Sequence, residues 1–326
     1  MERTQLVTNV ALAVDLGGTN VRAALVDSNG EIRHLVSRPT LGHEGPEAVI
    51  DRLAALVGEV VAHENPAQQV EVGVIAPGAI DPDAGIIYFG PNIPDWHDIP
   101  LRDMLESRLN RTVHIGNDAN CAALGEARFG SGQGTQDMIY IAIGTGVGGG
   151  VISNGHLIGG KRGFGGELGH VSVDPTGPRC SCGGIGCVES FVSGWAIVRD
   201  AEILVHSLRS DELTRMSRRN PITPEMVAMA AAAGDQGAKS IFDRAGQALA
   251  ASLGGMINIF NPELLVIGGG ISKAGDLLIK PFRKWLPNYA LPSILADVTI
   301  RESSLGLNTG IYGGAALVFY RRDLDA

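Results

Sequence analysis

Three of the chain's four cysteines fall within eight residues, in the stretch GHVSVDPTGPRCSCGGIGCVES that runs from Gly169 to Ser190. Cys180-x-Cys182-x4-Cys187, with His170 ten residues upstream, supplies three thiolates and an imidazole. Structural zinc takes four such ligands in a tetrahedron. Pro178, Gly183, Gly184 and Gly186 allow the chain to wrap a small ion. The spacing is neither C-x-x-C nor that of a zinc finger, so packed, reduced thiols stay open as an alternative. A disulfide would leave one thiol over. Glu167 precedes the motif and Glu189 follows it. Carboxylates and an imidazole suit the vicinal hydroxyls of a sugar, although a single Glu is more often a solvated surface charge. Asn92, in GPNIPDW, could also hydrogen-bond a polyol or simply serve its loop. Cys121 lies in an apolar helical pattern and reads as core.

Three glycine turns could hold phosphate. They are Asp15–Arg22 (DLGGTNVR, with Gly17, Gly18, Thr19 and Asn20), Gly144–Gly150 (GTGVGGG, with Gly144, Thr145 and Gly146), and Gly268, Gly269 and Gly270. Glycine lets backbone N–H groups approach phosphate oxygens with no Cβ in the way. A Rossmann fingerprint requires a helix after its glycines, but VISNGHLI alternates like a strand. A P-loop requires a hydroxyl after its lysine, and GHLIGGKR has Arg162 there. Asp15 ends an apolar strand beside the first turn, so its carboxylate could help hold Mg²⁺, directly or through water, or could form the turn. Asn117 and Asp118, in IGNDAN, stand where a strand ends and a helix begins. That is the ligand side of α/β sheets and also an N-cap position. A helix N-terminus favours the ionised carboxylate, so Asp118 would accept a hydroxyl proton only as that hydroxyl becomes acidic, as in phosphoryl transfer.

The elements that must position these residues alternate between strand and helix, which predicts an α/β fold. VALAVDLGG, NVRAALVD and EIRHLV read as a meander with a turn at Ser28–Gly30. A helix follows over Pro46–His63, then strand VEVGVIAPG, helix IPLRDMLESRL, strand TVHIG and helix NDANCAALGEARFG. The order then restarts at DMIYIAIGTGVGGGVISNGHLIGG, and the likeness of AVDLGGTNVRAALV to AIGTGVGGGVI predicts an internal duplication. Helices are expected near Trp195–Arg209, Pro224–Ala233, Gln236–Phe260, Lys273–Leu286 and Thr309–Arg321, with strands ELLVIGGG and DVTIRE between them. The expected domains are 1–117, with the C-terminal helix 309–326 packing back on it, and 118–308, which carries the cysteine loop.

With 326 residues, 44% apolar and 19% charged, the chain can bury a sizeable core, and its net charge is −9. No basic run is long enough for nucleic acid or a membrane surface, and Arg215, Arg218 and Arg219 form only a short solvated spot. No apolar run reaches the ~20 residues of a membrane span. The N-terminus does not read as a signal peptide, so a cytoplasmic, reducing compartment is expected, which disfavours disulfides.

DLGGTNVR, APGAID, NDANCAALGE, GTGVGGGV, GGELGHVSVDPTGPRCSCGGIGCVES and NPELLVIGGG, in this order, resemble the ROK family of sugar kinases, most of all its ATP-dependent glucokinases. The resemblance covers nearly the whole chain from Asp15 onward. It implies a ribonuclease H-like, actin-like ATPase fold of two α/β domains with the active site in a cleft. It implies ATP with Mg²⁺ as donor and a sugar 6-hydroxyl as acceptor, glucose giving glucose 6-phosphate. Asp118 matches the catalytic base. Asn92, Asn117, Asp118, Glu167, His170 and Glu189 match the sugar contacts, with the Pro77–Gly78 turn lining the pocket. His170, Cys180, Cys182 and Cys187 match zinc ligands, so His170 would serve both zinc and sugar. The zinc would be structural, fixing the loop that carries Glu167 and Glu189, while Mg²⁺ near Asp15 would serve the phosphates. A homodimer or homotetramer is implied. One departure is Cys121, where a small residue such as Ala is usual. Alternatives are a kinase for mannose, fructose, N-acetylglucosamine or N-acetylmannosamine, polyphosphate as donor, or a non-catalytic sugar sensor. The family's repressors carry a DNA-binding module before the kinase-like part, and only 14 residues precede Asp15 here.

Overall fold

The computed structural model describes residues 9–63, 70–91, 93–270 and 274–325. In chain order the elements are β1 (Val10–Leu16), β2 (Asn20–Asp27), β3 (Ile32–Pro39), α1 (Pro46–Val61), β4 (Val72–Ala76), β5 (Ala79–Asp81), β6 (Ile86–Phe89), β7 (His97–Ile99), α2 (Leu101–Leu109), β8 (Val113–Asn117) and α3 (Asp118–Phe129). There follow β9 (Met138–Ile143), β10 (Val147–Ser153), β11 (His156–Leu157), α4 (Glu189–Val192), α5 (Gly194–His206), α6 (Asp211–Ser217), α7 (Pro224–Ala232), α8 (Gln236–Phe260), β12 (Leu264–Gly268), α9 (Asp276–Trp285), α10 (Pro292–Leu295), β13 (Thr299–Glu302) and α11 (Thr309–Asp325). Their ends follow local chemistry. Ser193, Ser210, Thr223 and Asp235 each accept a backbone N–H at the start of α5, α6, α7 and α8, respectively. Asn261 stops α8 in the left-handed conformation. No helix among the described residues is long and apolar enough to cross a membrane.

Two five-stranded sheets share one order, β3-β2-β1-β4-β8 and β11-β10-β9-β12-β13. In the first, β1 pairs antiparallel to β2 and parallel to β4. In the second, β12 runs parallel to both β9 and β13. The repeated order agrees with the expected duplication. A third sheet, β5-β6-β7, and the short helix α6 are additions that sequence periodicity did not signal.

The chain forms two compact units: residues 1–135, 150–166 and 303–326, and residues 136–149 and 167–302. This differs from a boundary at Asn117. Helix α3 lies in the first unit because its face fits α11: a Cβ on Gly125 would sit 3.0 Å from the Gly313 nitrogen, and the Phe129 ring meets Tyr312 and Phe319. β1 is buried on both faces. Leu12, Val14 and Leu16 join α1 in one core, while Ala11 and Ala13 face α11. The second face needs small residues, since a Cβ on Gly73 of β4 would overlap the Gly314 carbonyl oxygen of α11.

Candidate active site

In the second unit the cysteine loop folds around a point. The ligand atoms of His170, Cys180, Cys182 and Cys187 all lie within 4.8 Å of one another. Cys182 Sγ and Cys187 Sγ are 3.7 Å apart, and His170 Nδ1 is 3.7 Å from Cys180 Sγ. Zn–S bonds of ~2.3 Å give a tetrahedral S···S edge of about 3.8 Å, so the set fits zinc. All four cysteines are free. Local bonds shape the loop: the Gly183 N–H donates to the Cys180 carbonyl at 3.0 Å, the Cys180 N–H to the Gly184 carbonyl at 2.9 Å, and the Gly184 N–H to Cys182 Sγ at 3.4 Å. Gly186, at φ +68°, has no room for a Cβ against the Asp174 carbonyl. Burial pushes the Cys187 thiol up to about 12, and the neighbouring Cys182 and Cys180 sulfurs add to the rise. A bound divalent cation reverses that balance, because it binds thiolates. His170 Nε2 points away from the sulfurs to Glu167, 3.8 Å from Oε2, and the Glu167 side chain is 57% exposed.

Glu189, just past Cys187, is buried. Its Oε2 accepts the Val147 N–H at 2.8 Å, and its Oε1 accepts the Ser181 hydroxyl at 2.8 Å. Val147 closes the Gly144–Gly146 turn, in which the Gly144 N–H donates to the Gly146 carbonyl at 2.8 Å. The third glycine cluster lies alongside. Gly268 pairs with Ala142, and Gly269, at φ +90°, backs onto the Ile143 carbonyl too closely for any Cβ. Two parallel strands, β9 and β12, thus end in adjacent glycine turns.

In the first unit Asp15 and Arg22 face each other across β1 and β2. Arg22 donates to Asp15 Oδ2 from Nη2 at 2.8 Å and from Nε at 3.3 Å, which leaves Oδ1 for a second partner. The turn between them is tight, the Gly17 N–H donating to the Asn20 carbonyl at 3.0 Å, and Gly18, Thr19 and Asn20 are exposed. The Thr40 hydroxyl anchors the turn from outside through the Gly17 carbonyl at 2.6 Å. Asn117 caps α3, its Oδ1 accepting from Ala119 and Asn120, and its Nδ2 donates to the Gly78 carbonyl at 3.1 Å. Gly78 holds φ +112°, where a Cβ would overlap the Phe89 carbonyl. Asp118 opens α3 with Oδ1 accepting the Ala119 N–H at 2.8 Å.

The first unit therefore brings Gly78, Asn117 and Asp118 together, and holds Asp15, Gly17, Gly18, Thr19 and Asn20 in one turn. The second unites Gly144, Thr145, Gly146, Gly268, Gly269 and Gly270, and groups Glu167, His170, Glu189 and the cysteines. Asn92 lies outside the described residues. Sequence reasoning missed Arg22 and Ser181 as partners. The hairpin register carried a signal for the first, because strands flanking a tight turn place Asp15 opposite Arg22.

The ROK family profile matches residues 11–321. The glucokinase of Thermotoga maritima is 41% identical over 310 residues, 94% of this chain and 96% of that one. The ROK hexokinase of Thermus thermophilus has a TM-score of 0.82 at 31% identity, covering 96% of this chain and 99% of that one. A ROK family glucokinase from Streptomyces griseus, solved with glucose and AMPPNP, has a TM-score of 0.76 at 33% identity, covering 94% and 98%. The two repeated sheets are those of the actin-like ATPase fold of these kinases. Motifs, strand order and full-length likeness agree: the chain belongs to the ROK family.

Proposed function

We propose that the chain catalyses ATP-dependent phosphorylation of D-glucose to glucose 6-phosphate, with Asp118 as base. The observation that carries this is the seat of Asp118. It begins α3 at the C-terminal end of a parallel strand, with its carboxylate fixed by the Ala119 N–H and its neighbour Asn117 fixed to Gly78. A base held there keeps its charge until a substrate hydroxyl acidifies. The sugar 6-oxygen forms a bond to the γ-phosphorus as the bond from that phosphorus to the bridging oxygen breaks. The hydroxyl proton passes to Asp118 and ADP leaves. The likeness to the Streptomyces griseus glucokinase, solved with glucose and AMPPNP, supports both substrates.

Gly17–Asn20, Gly144–Gly146 and Gly268–Gly270 would present backbone N–H groups to the phosphates, in keeping with their open turns. Mg²⁺, when bound, neutralises developing phosphate charge; Asp15 Oδ1 suits it directly or through water. Asn117, Glu167, His170 and Glu189 would hold sugar hydroxyls, with Asn92 included on the resemblance alone. Zinc held by His170, Cys180, Cys182 and Cys187 would have no open position, so its part is to shape the loop. His170 can serve both, with Nδ1 toward the sulfurs and Nε2 toward Glu167. A homodimer or homotetramer is the assembly proposed, which sedimentation checks.

Asp118→Asn tests the base. Turnover should fall by about 10²–10⁴-fold while glucose binding stays measurable by calorimetry. Near-normal turnover would remove Asp118 from that role. A coupled assay with glucose, mannose, fructose and the two N-acetylhexosamines, each with ATP and with polyphosphate, tests the substrates. Glucose with ATP should give the highest kcat/KM.

A further inference from the structure

The segment that follows the metal loop grips both ends of the Gly144–Gly146 turn. Glu189 Oε2 accepts the Val147 N–H at 2.8 Å at one end, and the Gly194 N–H donates to the Gly144 carbonyl at 2.8 Å at the other. The Glu189 carboxylate lies so close beneath the turn that a Cβ on Gly146 would sit 2.8 Å from Oε2. The other carboxylate oxygen belongs to the metal loop. Oε1 takes the Ser181 hydroxyl at 2.8 Å and lies 3.6 Å from Cys180 Sγ. Ser181 sits between two cysteines of the metal set and is not itself in that set. A buried carboxylate with charge-assisted bonds on both oxygens is held firmly, and it transmits the position of one partner to the other.

We infer that Ser181 and Glu189 couple the metal loop to the Gly144–Gly146 turn, so that loop order sets nucleotide affinity. Ser181 is then a positioning residue that acts through Glu189. This rests on the reading of that turn as a phosphate site. It also gives Glu189 a task on the nucleotide side in addition to any sugar contact. The chain of contacts runs from Cys180 and Ser181 through Glu189 to Val147, 42 residues away in sequence from Glu189.

The test uses the full-length protein and Ser181→Ala, which keeps all four metal ligands. Three readouts apply: zinc per chain, affinity for a non-hydrolysable ATP analogue without sugar, and hydrogen exchange at the Val147 amide. With zinc retained, the analogue Kd should rise about three- to tenfold, as for partial loss of one charge-assisted bond. Val147 exchange should quicken, and Ser181→Thr should restore both. Chelating the metal from the wild type should raise the Kd similarly, and by less in Ser181→Ala, because coupled changes do not add. Unchanged Kd and unchanged Val147 exchange, or fully additive effects, would overturn the coupling. If the wild type binds no ATP analogue, the kinase reading falls. The coupling is then decided by exchange alone: faster exchange at Val147 in Ser181→Ala upholds it, and unchanged exchange defeats it.

Discussion

Cys182 and Cys187 stand 3.7 Å apart, sulfur to sulfur, well beyond the ~2.05 Å of a disulfide and close to the edge of a shared tetrahedral ion. The thiols and His170 Nδ1 converge on one point, and Gly183 and Gly186 take left-handed conformations that let the chain turn so sharply. Elemental analysis should find about one zinc per chain, as one four-ligand site requires. Cys187→Ser should remove it and lower the melting temperature by roughly 10 °C, since a structural zinc is worth several kcal/mol of folding free energy. A folded, fully active, metal-free wild type would defeat the assignment. Cys121 shows the opposite case. It is buried beneath Gly116, and burial holds its thiol well above the usual range, with the Asp118 charge adding to the rise. It is inert core, as its apolar helical setting in the sequence indicated.

Helix α11 lies on the first sheet along a face of small residues. Ala11 and Ala13 of β1, Ala24 of β2 and Ala315 of α11 share one buried cluster. Gly73 and Gly314 meet backbone to backbone there. Gly73→Val should destabilise the protein by about 3 kcal/mol, the upper end of overpacking costs, read as a lowered denaturation midpoint with an unchanged slope. Stability at the wild-type level would show that helix and sheet can separate without loss. The strands and long helices were legible in the sequence, because alternation and 3.6-residue periodicity are local properties. The helix expected near Gln236–Phe260 forms over those residues, capped by Asp235 and ended by Asn261. The three-residue strands β5 and β7 were not, because strands that short show no period and form only by pairing with β6.

Across the first unit, distant segments close on Glu71. His114 Nε2 lies 2.7 Å from Glu71 Oε2, and Arg322 Nε donates to Oε1 at 2.7 Å. The His114 bond, and next Arg322, hold the Glu71 carboxyl below its ordinary value against the opposing effect of burial. A carboxyl lowered in the folded state adds stability above its unfolded value, and that stability is lost as pH falls through the folded one. Glu71→Gln should therefore cost about 1–2 kcal/mol at pH 7 and less near pH 3, below the ordinary carboxylate range. Denaturant midpoints at the two pH values check this, and an equal loss at both would exclude the linkage. The triad joins residues 251 positions apart, so no sequence window contains it.

Chemistry that is local in sequence was determined by the sequence itself. The four residues that could hold a metal span His170 to Cys187, each glycine turn lies within one hairpin or strand end, and Asn117–Asp118 sits at one strand-to-helix junction. Residue type and short-range backbone constraints suffice for these, because the groups are adjacent in the chain whatever the rest does. The tertiary structure decided what depends on long-range packing. It placed α3 with α11 in the first unit, and it turned Glu189 toward Val147. These choices follow from which small faces fit together and which buried polar groups must find partners, and neither is written in any single stretch of sequence.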